Sequence, residues 1–166
     1  MLDIVLRVET LDQGKPHKLS INAERVDCTT LAERFGWVDV GSLTAELKAK
    51  SIADRAYDIR GRIEGAIIQR CRVTGNPVPE SIAIDVHERF ASLADDDGEA
   101  EIDPMAVSVE VIENGVIPVG EMIAQLVGLE ASAWPRDPEA EGFVTADRLD
   151  DPTHPFASLA EWKKKL

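Results

Sequence analysis

Between Ile59 and Val73 the chain alternates apolar and polar positions. Ile59, Gly61, Ile63, Gly65, Ile67, Gln69, Cys71 and Val73 share one parity, and Arg60, Arg62, Glu64, Ala66, Ile68, Arg70 and Arg72 share the other. Successive side chains of a strand point to opposite faces, so this spacing predicts one long strand with an apolar face and an arginine-bearing face. Thr74-Gly75-Asn76-Pro77 supplies turn residues. A second alternating run follows, with Ile82, Ile84, Val86 and Phe90 opposite Asp85, His87 and Arg89. Together the two runs predict a long antiparallel hairpin whose apolar side the remaining elements must cover.

The flanking patterns supply those elements. Ile4, Leu6 and Val8 alternate as a first strand, Asp12 to Pro16 reads as a turn, and His17 to Asn22 as a short return strand. Thr30 and Glu33 are spaced as a capping box ahead of Leu31, Ala32 and Phe35, predicting a short helix that Gly36 ends. From Val38 to Ile52 two periods compete. Ala, Leu, Glu and Lys favour a helix, but Leu43, Ala45, Leu47 and Ala49 alternate with Thr44, Glu46, Lys48 and Lys50, so the reading here is strand. Val107, Val109 and Val111 predict a last strand, turned by Glu113-Asn114-Gly115. Pro118 suits the first turn of a helix, which carries Met122, Ile123, Leu126 and Val127 inward with Glu121 and Gln125 outside, and Gly128 weakens its end.

Two stretches do not look able to pack. Residues 94–103 form an acidic tract around Asp95-Asp96-Asp97-Gly98-Glu99, which reads as a mobile loop; its spacing is not that of a calcium-binding EF-hand. From Trp134 the composition turns to Pro, Asp, Glu and Ala, predicting a weakly docked flexible tail over residues 134–166. Pro155 can open a short helix there, with Phe156, Leu159 and Trp162 on one side and Lys163-Lys164-Lys165 at its C-terminal end. Residues 1–133 then form one domain. Its expected class is α+β, a twisted antiparallel β-sheet whose twist could carry it to a barrel-like form, with covering helices.

Charge narrows the partners. A net charge of -13 over 166 residues weakens any general attraction to phosphate backbones and favours basic surfaces. RNA contact would need a local basic patch, and Arg60, Arg62, Arg70 and Arg72 on one strand face are the candidates, since arginine binds phosphate bidentately. The alternative is a solvated face neutralised by neighbours such as Asp85. Aromatic residues for base stacking are scarce nearby, so sequence-specific reading of single strands is not expected. The chain has no apolar run of membrane-spanning length and no signal pattern, which gives a cytoplasmic expectation with no membrane partner.

Catalysis finds little support. No phosphate-cradling glycine loop, nucleophile elbow or His-Glu-x-x-His motif occurs. Parity places Cys71 with Ile59, Ile63 and Ile67, so an inert buried thiol is expected over a nucleophile served by His17, His87 or His154. Cys28, near a helix start, could have a lowered pKa. Structural zinc needs four ligands, usually with a close cysteine pair; Cys28 and Cys71 are the only cysteines, so neither a metal nor another cofactor is expected.

Three motifs in order resemble the YceD-like family, the large ribosomal RNA subunit accumulation proteins. Gln69-Arg70-Cys71 resembles the family's Cys-Gln-Arg-Cys signature at the end of a long strand, with Ile68 where many members carry the first cysteine. The stretch from Ile117 through Glu121 to Leu129 is similar to its Asp-Leu-x-Glu helix, and His154-Pro155-Phe156-Ala157 to its terminal Asn-Pro-Phe-Ala. The resemblance implies a non-enzymatic ribosome biogenesis factor that promotes accumulation of large-subunit ribosomal RNA. The implied partners are that RNA or a pre-ribosomal particle, and a basic large-subunit ribosomal protein, since members are typically encoded beside one. The rival reading is an acidic adaptor or chaperone that holds such a protein without touching RNA.

Overall fold

In a computed structural model, described over residues 2–11, 15–53, 55–92 and 109–140, the central hairpin is the frame of the molecule. Strand β4 (Ala56–Arg70) and strand β5 (Pro77–Ala91) pair along their whole length, with Ile63 opposite Ile84 and Arg62 opposite Asp85. On the other side of β4 runs β3 (Asp39–Ala53), so period two prevailed over helix propensity in that stretch. The reason is visible in burial. Leu43, Ala45, Leu47 and Ala49 are all buried, and only a strand puts four alternate positions on one face.

Ile59, Ile63 and Ile67 of β4 are at most 1% exposed, and each contributes about 1.5–3 kcal/mol by leaving water. Between them stand Gly61 and Gly65, where β3 comes unusually close. A Cβ on Gly61 would lie 2.0 Å from the Glu46 carbonyl oxygen, and one on Gly65 2.9 Å from that of Ser42. Missing side chains at these two positions let the β3 backbone approach β4 this closely.

Strand β2 (His17–Asn22) pairs with β3, and β6 (Val109–Val111) closes the other side against β5, giving the order β2-β3-β4-β5-β6. The sheet stays open, with β2 and β6 as its edges, and does not reach a barrel. Two strand expectations need correction. β6 joins β5 in parallel, and its Val109 and Val111 are exposed. The first strand is only β1 (Leu6–Arg7), followed by a single 3-10 turn at Val8–Thr10. It pairs with β7 (Val116–Ile117) in a separate two-stranded sheet and not with His17–Asn22. Val107 and the acidic tract at 94–103 lie outside the described residues.

Helix α1 (Arg25–Phe35) packs on β3 and buries Cys28, Leu31 and Ala32; helix α2 (Val119–Glu130) packs on β5 and buries Val119, Met122, Ile123, Ala124 and Val127. The capping box at Thr30 does not form, because α1 begins one turn and more earlier, after Glu24. Thr30 instead returns its hydroxyl to the Val26 carbonyl, 2.9 Å away. Gly36 ends the helix in a left-handed conformation, φ 68°, as its position suggested. Gly128 does not end α2. Its bare Cα receives the Phe35 ring, which a Cβ would meet at 2.6 Å, and the helix runs on to Glu130. The helices are also joined by Arg34 and Glu121, whose guanidinium and carboxylate make two hydrogen bonds of 2.7 and 2.6 Å.

Candidate functional site

The four arginines singled out by parity do not form one stripe. Arg60 and Arg62 lie on the outer face of β4. Arg70 is its last residue, and Arg72 falls in the following turn. At 3.2–3.4 Å per residue, Arg60 and Arg70 are roughly 30 Å apart. Each end gathers different neighbours.

At the Arg60 end, cross-strand register lines up Lys18, Lys48, Arg60 and His87 on four successive strands. Directly opposed residues hold their Cβ atoms about 4.5–5.5 Å apart, and like charges so placed repel. Arg60 is partly neutralised, its Nε donating to Asp58 at 2.6 Å. Arg62 is neutralised further, bonding Glu64 and Asp85 at 2.8 Å each. Lys18 and Lys48 have no ion pair among the described residues. The nearest carboxylate in the neighbouring row, Glu46, accepts from the Ser20 hydroxyl. Lys18, Lys48, Arg60 and Arg62, together with Glu46, Leu47 and Gly61, line a shallow depression of about 450 Å3 on this face, so four cations and one carboxylate border it.

Asp58 anchors the other side of the row. Although it faces outward, it is only 8% exposed, because Arg60, His87 and Arg89 crowd over it. Burial pushes its carboxyl up, but the Arg60 and His87 hydrogen bonds outweigh that and hold it below the ordinary carboxylate range.

The Arg70 end is built around the motif Gln69-Arg70-Cys71. Gln69 turns inward, 7% exposed, and its amide donates to Glu80 at 2.8 Å and to the Ser132 carbonyl at 3.0 Å. Glu80 also accepts the Ser132 N–H at 2.9 Å. The chain leaving α2 is thereby clamped to the hairpin, and the segment from Trp134 begins as a docked strap. Arg72 N–H donates to the Pro135 carbonyl at 2.9 Å, and Asp137 N–H to the Cys71 thiol at 3.3 Å.

Cys71 is buried, as parity predicted, but not as an ordinary core residue. Its sulfur accepts N–H groups from Val73, Thr74 and Asp137 at 3.4, 3.3 and 3.3 Å. The Asp137 N–H first, then the Thr74 side chain and N–H, draw its pKa from 9.0 down to about 6. The expected burial is thus present, and beyond it the Cys71 sulfur is a polar hub that fastens a turn and a strap. Cys28 corrects the expectation of a lowered pKa. It faces the core in the first turn of α1, and burial pushes its thiol up despite Arg25 nearby.

Glu121 is the one helical motif residue with a resolved role, the Arg34 latch, which draws its carboxyl from 4.5 down to about 2. Pro155 and Phe156 lie outside the described residues. Among the described residues no group of three or more His, Cys, Asp or Glu is placed to hold a metal, and no helix is long and apolar enough to cross a membrane.

The residues that sequence reasoning missed are Lys18, Lys48 and Trp134. Register alone brings the lysines into the arginine row, and no sequence pattern announces it. Trp134, 73% exposed beside the strap's contact with Arg72, belongs to a stretch that reads as too polar to dock. Comparison with family models, curated proteins and solved structures finds no match to this chain.

Proposed function

We propose that the protein is a non-enzymatic, cytoplasmic ribosome-assembly factor that contacts large-subunit ribosomal RNA through the outer face of its sheet and so promotes accumulation of that RNA. The motif resemblance suggests the process. The observation that carries the contact is the row Lys18–Lys48–Arg60, three cations facing one another across three strands, two of them with no ion pair among the described residues. Repulsion along such a row is relieved when a phosphate backbone crosses it, and each contact releases counterions. Asp58, Glu64 and Asp85 flank the row and pair with Arg60 and Arg62, which confines the positive potential to a narrow track. A narrow track suits a chain of net charge -13, which would repel RNA elsewhere.

The test is a Lys18→Glu/Lys48→Glu variant. Both side chains are exposed and carry no internal ion pair, so the fold should survive, as circular dichroism would verify. Retention on pre-ribosomal particles and mature large-subunit RNA should fall. With purified RNA, the salt slope of binding should drop by roughly one for each phosphate that the variant no longer neutralises. The net acidity favours the second reading, an adaptor for a basic ribosomal protein. Unchanged RNA association in the lysine variant, with partner loss on Asp95/Asp96/Asp97→Asn, would establish the adaptor and reject RNA contact.

A further inference from the structure

The strap that follows α2 presents a feature the basic row does not use. Ser132 is held by Glu80 and Gln69, and Pro135, which is buried, is held by the Arg72 N–H. Trp134 lies between these fixed points, and its N–H is itself turned in to the Ser132 hydroxyl at 3.3 Å. Its side chain is nevertheless 73% exposed. A large indole on an immobilised backbone, left in water, forgoes the burial that tryptophan ordinarily seeks.

Two arginines are close to it along the backbone, one in the chain and one across the strap. Arg136 is two residues on, and Arg72 is hydrogen-bonded through its backbone to the intervening Pro135. Both are exposed, and Arg72 has no ion pair among the described residues. Two nearby acids, Asp137 and Glu80, accept hydrogen bonds from other groups. Asp137 accepts the Glu139 N–H at 3.0 Å and the Asn76 amide at 3.5 Å, while Glu80 accepts Gln69 and Ser132. Arg136 spends one donor on the Ala140 carbonyl at 3.3 Å, out of the five a guanidinium carries.

We propose that Trp134, flanked by Arg72 and Arg136, is a stacking platform for an unpaired base of single-stranded RNA. The indole takes the base face and the arginines take the adjoining phosphates, the combination by which single strands are held. A duplex hides its base faces and cannot use the indole. The inference rests on the RNA reading above and deepens it: the far end of the hairpin selects unpaired RNA, while the Lys18–Lys48–Arg60 row tracks backbone. The strap matters, because a backbone fixed in advance lowers the entropy cost of engaging the tryptophan it carries.

The experiment uses the full-length chain with Trp37→Phe and Trp162→Phe, which leaves Trp134 as the sole indole of the original 3. It is titrated with single-stranded RNA of roughly 12 nucleotides, within the usual site size, and with duplex RNA of the same length. Single-stranded RNA should quench the indole and duplex should not. In the natural chain, Trp134→Ala should weaken single-strand binding roughly tenfold or more, and Trp134→Phe much less. The salt slope should stay the same in Trp134→Ala and fall in Arg72→Ala/Arg136→Ala, which separates stacking from phosphate contact. Equal single-strand affinity in Trp134→Ala and the natural chain would overturn the platform alone. So would an indole already shielded from acrylamide in the free protein, which would mean that the chain's own residues cover it. A natural chain that binds neither RNA would overturn the RNA reading and the platform together.

Discussion

Replacing Glu121 by Gln tests whether the two helices are latched by charge. The carboxylate receives both terminal nitrogens of Arg34 at 2.7 and 2.6 Å and the Gln125 amide at 3.1 Å. The Arg34 and Glu121 side chains are 36% and 27% exposed, so solvent screens part of the interaction. An open surface pair contributes about 0.2–1 kcal/mol, and hydrogen bonds to a charged group about 1.5–3 kcal/mol. A half-covered, doubly bonded pair falls between, so Glu121→Gln should cost about 1–2 kcal/mol. The folded-state pKa lies near 2, below the ordinary 4.5. The contribution is therefore fully present above pH 4.5 and disappears as pH falls through the folded value of about 2. Urea unfolding of the natural chain, Glu121→Gln, Arg34→Gln and the double variant would measure this. The cycle should return a coupling of about 1 kcal/mol near neutral pH, shrinking through the acid range. Identical midpoints near neutrality, or a difference that persists unchanged to the acid end, would refute the latch.

Three further outcomes follow from the same geometry. Gly61→Ala places a Cβ against the Glu46 carbonyl at 2.0 Å, so it should destabilise by about 2–4 kcal/mol in chemical denaturation; a neutral effect would mean that β3 does not approach β4 this closely at Gly61. Cys71→Ala should cost about 1 kcal/mol or more. Because the folded thiol titrates near 6 and the ordinary value is 9.0, the advantage of the natural chain should grow as pH rises from about 6 to 9; a flat difference across that window would count against the N–H nest. Asp58→Asn leaves Arg60, His87 and Arg89 without their shared anion and should lower stability by about 2 kcal/mol. Because the Asp58 carboxyl is held below its ordinary range, that loss should fade in acid, and a pH-independent difference would dismiss the cluster as a source of stability.

The long hairpin was legible in the sequence because parity is a local property. Isoleucines at 59, 63 and 67 and their partners on the second strand bury the same face whatever the rest of the chain does. The same holds for β3, where alternation outweighed helix propensity, and for α2, whose apolar spacing survives Gly128. Helix α1 was legible in existence but not in its start, since Thr30 satisfied a capping pattern that the helix overran. The pairing of β1 with β7 and the parallel entry of β6 were not legible, because a strand's own residues do not name the edge it will join.

The candidate site divides along the same line. The arginine face of β4 follows from alternation; Cys71, one residue past the end of the strand, is on the side parity named but is enclosed by the turn and the strap. What tertiary structure decided is which groups meet those residues. Cross-strand register set Lys18 and Lys48 beside Arg60, and it gave Arg62 to Asp85. The return of the chain after α2 brought the Asp137 N–H to the Cys71 sulfur, which lowered a thiol that parity alone marked as inert. It also stationed Trp134 next to Arg72. Alternation requires only the identity of near neighbours, and a sequence displays that. Charge pairing, pKa and aromatic placement depend on distances of a few ångströms between residues remote in the chain, and those exist only once the sheet has registered and the strap has docked.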